Sequence, residues 1–532
     1  MARKHSNVLQ ALRMTLTASA IVGTALSAPV QAQTITAVMH AGVRSLDPVI
    51  TTAYIVRNHG YMVYDTLVAL DSENNIQPQM LSHWKASEDG KTYTFTLRDG
   101  LKWHDGAPVT SADCIASIKR WASQDKMGQM MNSMMSGMEV VDANTFVMRF
   151  TEPTDLAIRA LSKPSAIPAF MMPERVANTP TSQAIKETIG SGPFRFVPEE
   201  YKPGLQVVYV KNTDYVPRKE PASGLAGGKV VKVDKVKWVT MPDQMTSVNA
   251  LLNQEIDYIE RAPFDLLPML EGKKDISVHV LSAQGGQSEI RFNFEQPPFD
   301  NKLIRQAAVL AVDQKDVLQA QIGNPKYFQT CAAVFGCGGP YESSIGGDKL
   351  VKGDPVKAAA LLKEANYDGT PVVILLPSDS PSTAPILQVV AQSLRKAGFK
   401  VDLQSMDWQT AITRRASHEP AAKGGWNIFG TFTSMPDVRD PLAFMGVAAN
   451  GKDAWFGWPD VPEIEKRRAQ FARTNDPAEL KKLADEIQAL VIDEGVIVPL
   501  GQFSNLSATG AQITGLLDGP VPVFWNLQKT GK

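Results

Sequence analysis

Between Gly430 and Pro441 the chain reads GTFTSMPDVRDP, which sets Asp437, Asp440 and Arg439 among small hydroxyl residues and prolines. Carboxylates placed this way can hold a cation, because an ammonium taken out of water needs a paired acid. An arginine can grip a carboxylate through two parallel hydrogen bonds. The same residues also suit a surface turn: aspartates cap helices and close turns, and Arg439 can pair locally with Asp437 or Asp440. The preceding GGWNIF reads as a buried strand. The stretch is therefore either an ordinary turn or the lip of a pocket that reads a polar ligand.

Signatures of covalent chemistry are broken wherever they begin to form. IGSGPF lacks the spacing of a nucleophile elbow, and SHEPA carries His418 and Glu419 without the second histidine of a zinc helix. AGGKVVK ends in valine where a phosphate loop needs a hydroxyl, and GCGGPY fails the dinucleotide spacing. The seven histidines are scattered. No catalytic residue, metal or cofactor is expected from these patterns, although paired carboxylates leave no sequence signature and keep a secreted hydrolase as an alternative. In MGQMMNSMMSGM, residues Met127, Met131, Met134 and Met138 fall on one helical face. Thioethers can bind soft Cu(I), but a methionine stripe more often fills a core or interface.

The amino terminus carries Arg3, Lys4 and Arg13, then a short apolar run from Met14 to Ala28, then small residues at Val30 and Ala32. This is the order of an export signal cleaved after Ala32, and the run is too short for a span of about 20 apolar residues. The whole chain has 54 basic and 55 acidic side chains; the first 32 residues carry three of the basic and none of the acidic, leaving 51 against 55. That balance argues against nucleic acid or an anionic membrane as the main partner. About 500 mature residues exceed a single core, so two or more lobes are expected. Cys331 and Cys337 bracket a short Gly-rich stretch, and an oxidising compartment favours a bond between them. Cys114 reads as a small buried hydrophobe.

The elements that must position these residues are α/β in pattern. AYIVRNHGYMVYDTLVAL reads as helical, and TYTFTL and ANTFVMRF as strands. TSADCIASIKRWASQ opens a helix with a hydroxyl cap and Asp113 in its first turn. TPVVILLP is a strand buried on both faces, followed by the amphipathic helix APILQVVAQSLRKAGF, ending at Gly398, and the strand KVDLQSM. Strand, helix and strand in this order predict a parallel unit with a right-handed crossover. The first half favours hairpins. Two α/β lobes with a groove between them follow, the ligand lying at the carboxyl ends of strands.

Four ordered blocks then resemble one family: SLDPVITTAYIVRNHGYMVYDTLVALD, MLSHWKASEDGKTYTFTLRDGLKWHDGAPVTSAD, IGSGPFRFVPEEYKPGLQVVYVKNTDYV and FNFEQPPFDNKLIRQAAVLAVDQKDV. Together they are similar to family 5 bacterial extracellular solute-binding proteins, the dipeptide and oligopeptide receptors of ABC importers. The resemblance implies a two-lobed periplasmic-binding-protein fold with an extra subdomain in the N-terminal lobe and a hinge. It places the signal at 1–32, the N-terminal lobe at 33–280 with an insertion at about 60–185, the C-terminal lobe at 281–495, and a return segment at 496–532. The lobe crossings fall near VHVLSAQGG and VIVPLGQ. The blocks themselves read mainly as scaffold, with Asp300 or Asn301 capping a helix whose Ile304, Ala308 and Ala311 face inward.

The resemblance also points to ligand contacts. GTFTSMPDVRDP matches the place where dipeptide receptors carry Gly-Trp-x-x-Asp, whose aspartate pairs with the ligand α-amino group. Here Phe432 occupies or neighbours the tryptophan position and Ser434 falls where the acid would be, leaving Asp437 and Asp440 as replacements. Tyr54, Phe432, Thr433, Ser434, Asp437, Arg439, Asp440, Trp455 and Trp458 are the candidate contacts. The implied partners are a short peptide or other small solute, and ABC permease subunits with their ATPases; the chain is expected to be a periplasmic monomer. Alternatives within binding are an opine, a glutathione-like molecule, a sugar or a metal chelate. A periplasmic chaperone or sensory partner is a further one.

Overall fold

The computed structural model describes residues 33–530; the export signal expected over 1–32 lies outside them. Eleven strands form one mixed sheet: β1 (Thr34–Val38), β2 (Phe194–Phe196), β3 (Gln206–Lys211), β4 (Lys235–Val239), β5 (Tyr258–Ile259), β6 (Ile276–Phe292), β7 (Phe328–Gln329), β8 (Val372–Pro377), β9 (Val401–Met406), β10 (Ile428–Ser434) and β11 (Val498–Gly510). Across the sheet the order is β2-β3-β4-β1-β5-β11-β6-β10-β8-β9, and β7 pairs with β11 off that path. One end is built around β1, parallel to both β4 and β5. The other end holds β8, parallel to both β9 and β10.

Two long antiparallel strands, β6 and β11, join these ends. Their pairing runs from Ile276 opposite Gly510 to Ile290 opposite Val498, with register shifts between Val280 and Gly286 and again between Gln287 and Glu289. Such shifts bend and twist a ladder locally. The expected crossings at VHVLSAQGG and VIVPLGQ fall on these two strands.

The elements follow their local chemistry. All six residues of β8 are buried, as a strand covered on both faces requires; the helix Ala384–Lys396 then crosses to β9. The helix Ser111–Ala122 starts with a reciprocal cap between Thr110 and Asp113. Asn301 caps Lys302–Ala311, and Ile304, Ala308 and Ala311 are buried. A separate four-stranded antiparallel sheet combines Leu81–Ala86, Thr92–Leu97, Thr145–Phe150 and Met135–Val140. Its core is continuous with that of residues 290–500.

Two helical expectations change. The helix beginning at Tyr54 ends at Val63, and the chain continues as short strands at Asp65–Thr66 and Val68–Leu70. Its end is fixed from outside: the Gly192 N–H donates to the Val63 carbonyl, and a Cβ on Gly190 would lie 2.0 Å from that oxygen. The methionine helix is Lys126–Met134; Met127, Met131 and Met134 are buried with Trp121, whereas Met138 lies on the strand Met135–Val140. Cross-strand pairing with Thr145–Phe150 overrides helical spacing there. Cys331 and Cys337 are bonded, their Cα atoms 5.9 Å apart, and Cys114 is buried. Among the described residues no helix is long and apolar enough to cross a membrane.

Candidate functional site

At the irregular part of β6 and β11 lies a cavity holding about 450 Å³ of atom-free space, its open mouth included. Leu281, Gly285 and Gly286 of β6 and Asn505 of β11 form one wall. Tyr54, Arg57, Glu260 and Arg261 line a second, Phe432 and Ser434 a third, and Gly519, Pro520 and Pro522 close it from the C-terminal segment. Glu260 and Arg261 directly follow β5, and His40 follows β1, so parallel strands deliver these groups at their carboxyl ends.

The second wall is a relay of polar side chains. Arg57 sits one turn into the helix Tyr54–Val63 and is buried. Its Nε and Nη2 donate to Asn58 Oδ1 at 3.1 and 2.9 Å, and Nη1 donates to Ser165 Oγ at 2.7 Å. Its guanidinium also lies over the Tyr54 ring, 4.5 Å from the centroid. Asn58 Nδ2 donates to Glu260 Oε1 at 2.9 Å, while Glu260 Oε2 accepts from the His40 backbone at 2.8 Å and meets His40 Nδ1 at 2.7 Å. Burial opposes the Glu260 charge, but His40 and Arg261 prevail and bring its pKa down to about 2. Arg261 lies over the Phe432 ring at 4.8 Å and makes no hydrogen bond or ion pair among the described residues. Burial lowers its pKa, Glu260 acts the other way, and Arg57 adds like-charge repulsion.

The third wall is set by strand alternation. β10 pairs with β6 so that Ser434 faces Gly286 and Phe432 faces Ser288, while Thr433 faces Gln287. Successive side chains leave opposite faces of a sheet, so Phe432 and Ser434 reach the cavity. Thr433 points away and donates to Glu289 Oε1 at 2.6 Å. Ser434 Oγ is buried without a hydrogen-bond partner. Tyr54 spans the two sides: its hydroxyl donates to Asp437 Oδ2 at 3.0 Å and accepts from the Ser434 N–H at 2.9 Å.

Of the nine contacts expected from sequence, the structure thus brings Tyr54, Phe432 and Ser434 to the cavity. Asp437 is buried one layer behind, against the Tyr54 hydroxyl; burial raises its pKa, with Lys163 and Arg57 acting against that rise. Asp440 closes a turn, Oδ1 accepting from the Leu442 and Ala443 N–H groups, and its Oδ2 lies 3.4 Å from Arg159. Arg439 pairs with neither aspartate: it donates to the carbonyl of Gly338, the residue after Cys337, at 3.0 Å. Trp458 is buried, stacked on His418 with centroids 3.7 Å apart, and Trp455 packs on Phe429 and Phe456. A smaller depression beside them holds Arg415 among Trp408, Ile412 and Phe429.

Sequence reasoning missed Arg57, Glu260 and Arg261. A signal existed for each: Arg57 stands inside an apolar helical run, and YIER places the other two at the end of a buried strand.

This combination, two α/β halves joined by paired crossing strands around a polar cavity, is that of a two-lobed periplasmic binding protein. The periplasmic binding protein of A. tumefaciens R10 in complex with agropinic acid superposes with a TM-score of 0.78 at 21% identity, covering 94% of this chain and 99% of that one. A dipeptide-binding protein from Pseudoalteromonas sp. SM9913 in complex with Met-Leu gives 0.79 at 21% identity, with 94% and 100% covered. The model of bacterial extracellular solute-binding proteins, family 5 Middle, matches residues 75–454. A probable peptide ABC transporter periplasmic-binding protein of Sinorhizobium fredii is 41% identical over 492 residues, 91% of each chain. The chain belongs to the family 5 extracellular solute-binding proteins, receptors that work with ABC transporter permeases and their ATPases.

Proposed function

We propose that this chain is the periplasmic receptor of an ABC importer, capturing a small peptide or peptide-like solute between its lobes and delivering it intact to the permease. The observation that carries the reading is the cavity itself, lined at once by the Tyr54 helix, the end of β5, the irregular crossing strands and β10. In this reading residues 33–280 form the N-terminal lobe with an insertion at about 60–185, and residues 281–495 the C-terminal lobe. The chain from 496 returns to the first lobe; the burial of Val521, Phe524 and Trp525 with Ile35, Val236 and Tyr258 supports that return. Tyr54, Phe432 and Ser434, with Arg57 and Arg261, contact the solute. The protein works as an exported monomer, cleaved after Ala32, and performs no covalent chemistry.

Mass spectrometry of solute released on denaturing freshly purified protein tests this. An intact small solute at about one per chain is expected, and adding it back raises the melting temperature, since a ligand bound only by the native state stabilises it. Recovery of cleaved products, or of no solute together with no stabilisation by any peptide, would count against it. A non-peptide solute is the second reading. It is favoured by one observation: Ser434, not an acid, lies at the cavity where a peptide amino group would need its counter-charge.

A further inference from the structure

We propose that the cavity is an anion seat in which Arg57 and Arg261 together hold a carboxylate of the solute, and that it takes acids whose amine is absent or acylated. This rests on the receptor reading and specifies its solute.

The charges at the cavity do not balance. Two guanidiniums and one carboxylate line it. Both oxygens of Glu260 are already engaged, one by Asn58 and the other by His40. Arg57 is held by neutral partners, an amide oxygen and a serine hydroxyl, and has donors left over. Arg261 makes no hydrogen bond or ion pair among the described residues and only stacks on Phe432. Two like charges sharing a partly desolvated space repel, and an entering carboxylate relieves both the repulsion and the unmet donors. Ser434 Oγ, buried and unpartnered in the same wall, supplies a further neutral donor.

A free ammonium meets one acid in the lining, Glu260, whose charge is already shared with Asn58 and His40 and is outnumbered by the two guanidiniums. Asp437 lies behind the wall and accepts from Tyr54. Glu289 faces Thr433 across the other side of the sheet. Beside the neutral amide of Asn505, Leu281, Phe432, Pro520 and Pro522 give the lining an apolar part. It suits an acyl or alkyl group in place of a charged amine.

The test uses full-length mature protein, stripped of solute by unfolding and refolding, and three dipeptide pools: free termini, N-acetylated, and C-amidated. Thermal shift and isothermal titration should show the N-acetylated pool binding at least as tightly as the free one, and the amidated pool not binding. Arg261→Gln should weaken the acid pools by roughly 10- to 100-fold, the scale of one lost charged hydrogen bond, whereas Arg261→Lys retains part of the affinity. Equal binding of acid and amide pools, or binding that requires a free amine, overturns the anion seat. If no pool binds, the peptide reading fails, and a panel of sugar acids and dicarboxylates on the same protein decides this one. Stabilisation abolished by Arg261→Gln upholds it; no stabilisation by any acid overturns it.

Discussion

Glu289 shows how one side chain can set a pH dependence without touching solute. It is fully buried on β6, with Oε1 accepting from Thr433 and Oε2 lacking a partner. Burial pushes its pKa up to about 7, against the pull of Thr433 and of Arg291. Arg291 gives little relief, because its guanidinium is directed to the carbonyls of Gly446, Trp455, Phe456 and Val496. A carboxyl whose pKa is higher folded than unfolded binds more protons in the folded state between those two values. Stability from this group therefore falls as pH rises from about 4.5 to 7, and stays low above. Glu289→Gln keeps the protonated shape and removes the titration. Denaturant melts should find it more stable than the parent by roughly 3 kcal/mol at pH 8, with little difference at pH 4; an equal difference at both would refute this. At this scale the sequence was only half legible. GTFTSMPDVRDP marked the right strand, and alternation grouped Phe432 with Ser434. Which face met the cavity depends on the β6–β10 register, which no local pattern contains, so Thr433 and the aspartates looked equally eligible.

Elements were easier to read where burial leaves a one-dimensional trace. β8, its helix and β9 are visible because a strand covered on both faces is continuously apolar. The Tyr54 helix was overextended because its end is imposed by Gly190 and Gly192, more than a hundred residues away. That helix also makes the connection from which a further prediction comes. Tyr54, at its start, both donates to Asp437 and accepts from the Ser434 N–H, and so fastens it to the end of β10. Tyr54→Phe leaves the ring but strands a buried carboxylate, and should lower stability by about 1–3 kcal/mol. Circular-dichroism melts of solute-free protein at neutral pH measure this, and an unchanged midpoint would show that the link carries no energy. The crossing strands offer a second test. Gly285 has φ +43° and lines the cavity; a Cβ there would lie 2.2 Å from the Phe503 carbonyl and 2.7 Å from the Asn505 nitrogen. Gly285→Ala must push β6 away from β11, so a loss of more than about 2 kcal/mol is expected, together with weaker solute binding.

At the scale of the whole molecule, composition and pattern announced two lobes, because no single core serves a chain this long. They did not reveal which polar links connect the sides. Beyond the Tyr54 link, Arg159 lies 3.4 Å from Asp440, Arg473 lies 3.1 Å from Glu152, and the Thr154 hydroxyl donates to the Ala472 carbonyl at 3.1 Å. Arg473 and Glu152 are about half exposed, and ion pairs in water contribute about 0–1 kcal/mol each. Such links are weak, and because Arg57 and Arg261 both stand on the N-terminal side of the cavity, their unrelieved charge becomes a force for closure only when a solute bridges to Phe432 and Ser434 on the other side. In the proposed reading a solute acid contacts both sides at once, and it shifts the population toward the closed form only by its differential affinity for that form. Small-angle scattering should therefore find a larger radius of gyration for solute-free protein than for protein saturated with the N-acetylated dipeptide pool. Arg261→Gln binds the acid more weakly, so it should contract less than wild type on addition of the same pool. Identical scattering from wild-type protein with and without a pool that demonstrably binds would mean that capture here needs no closure.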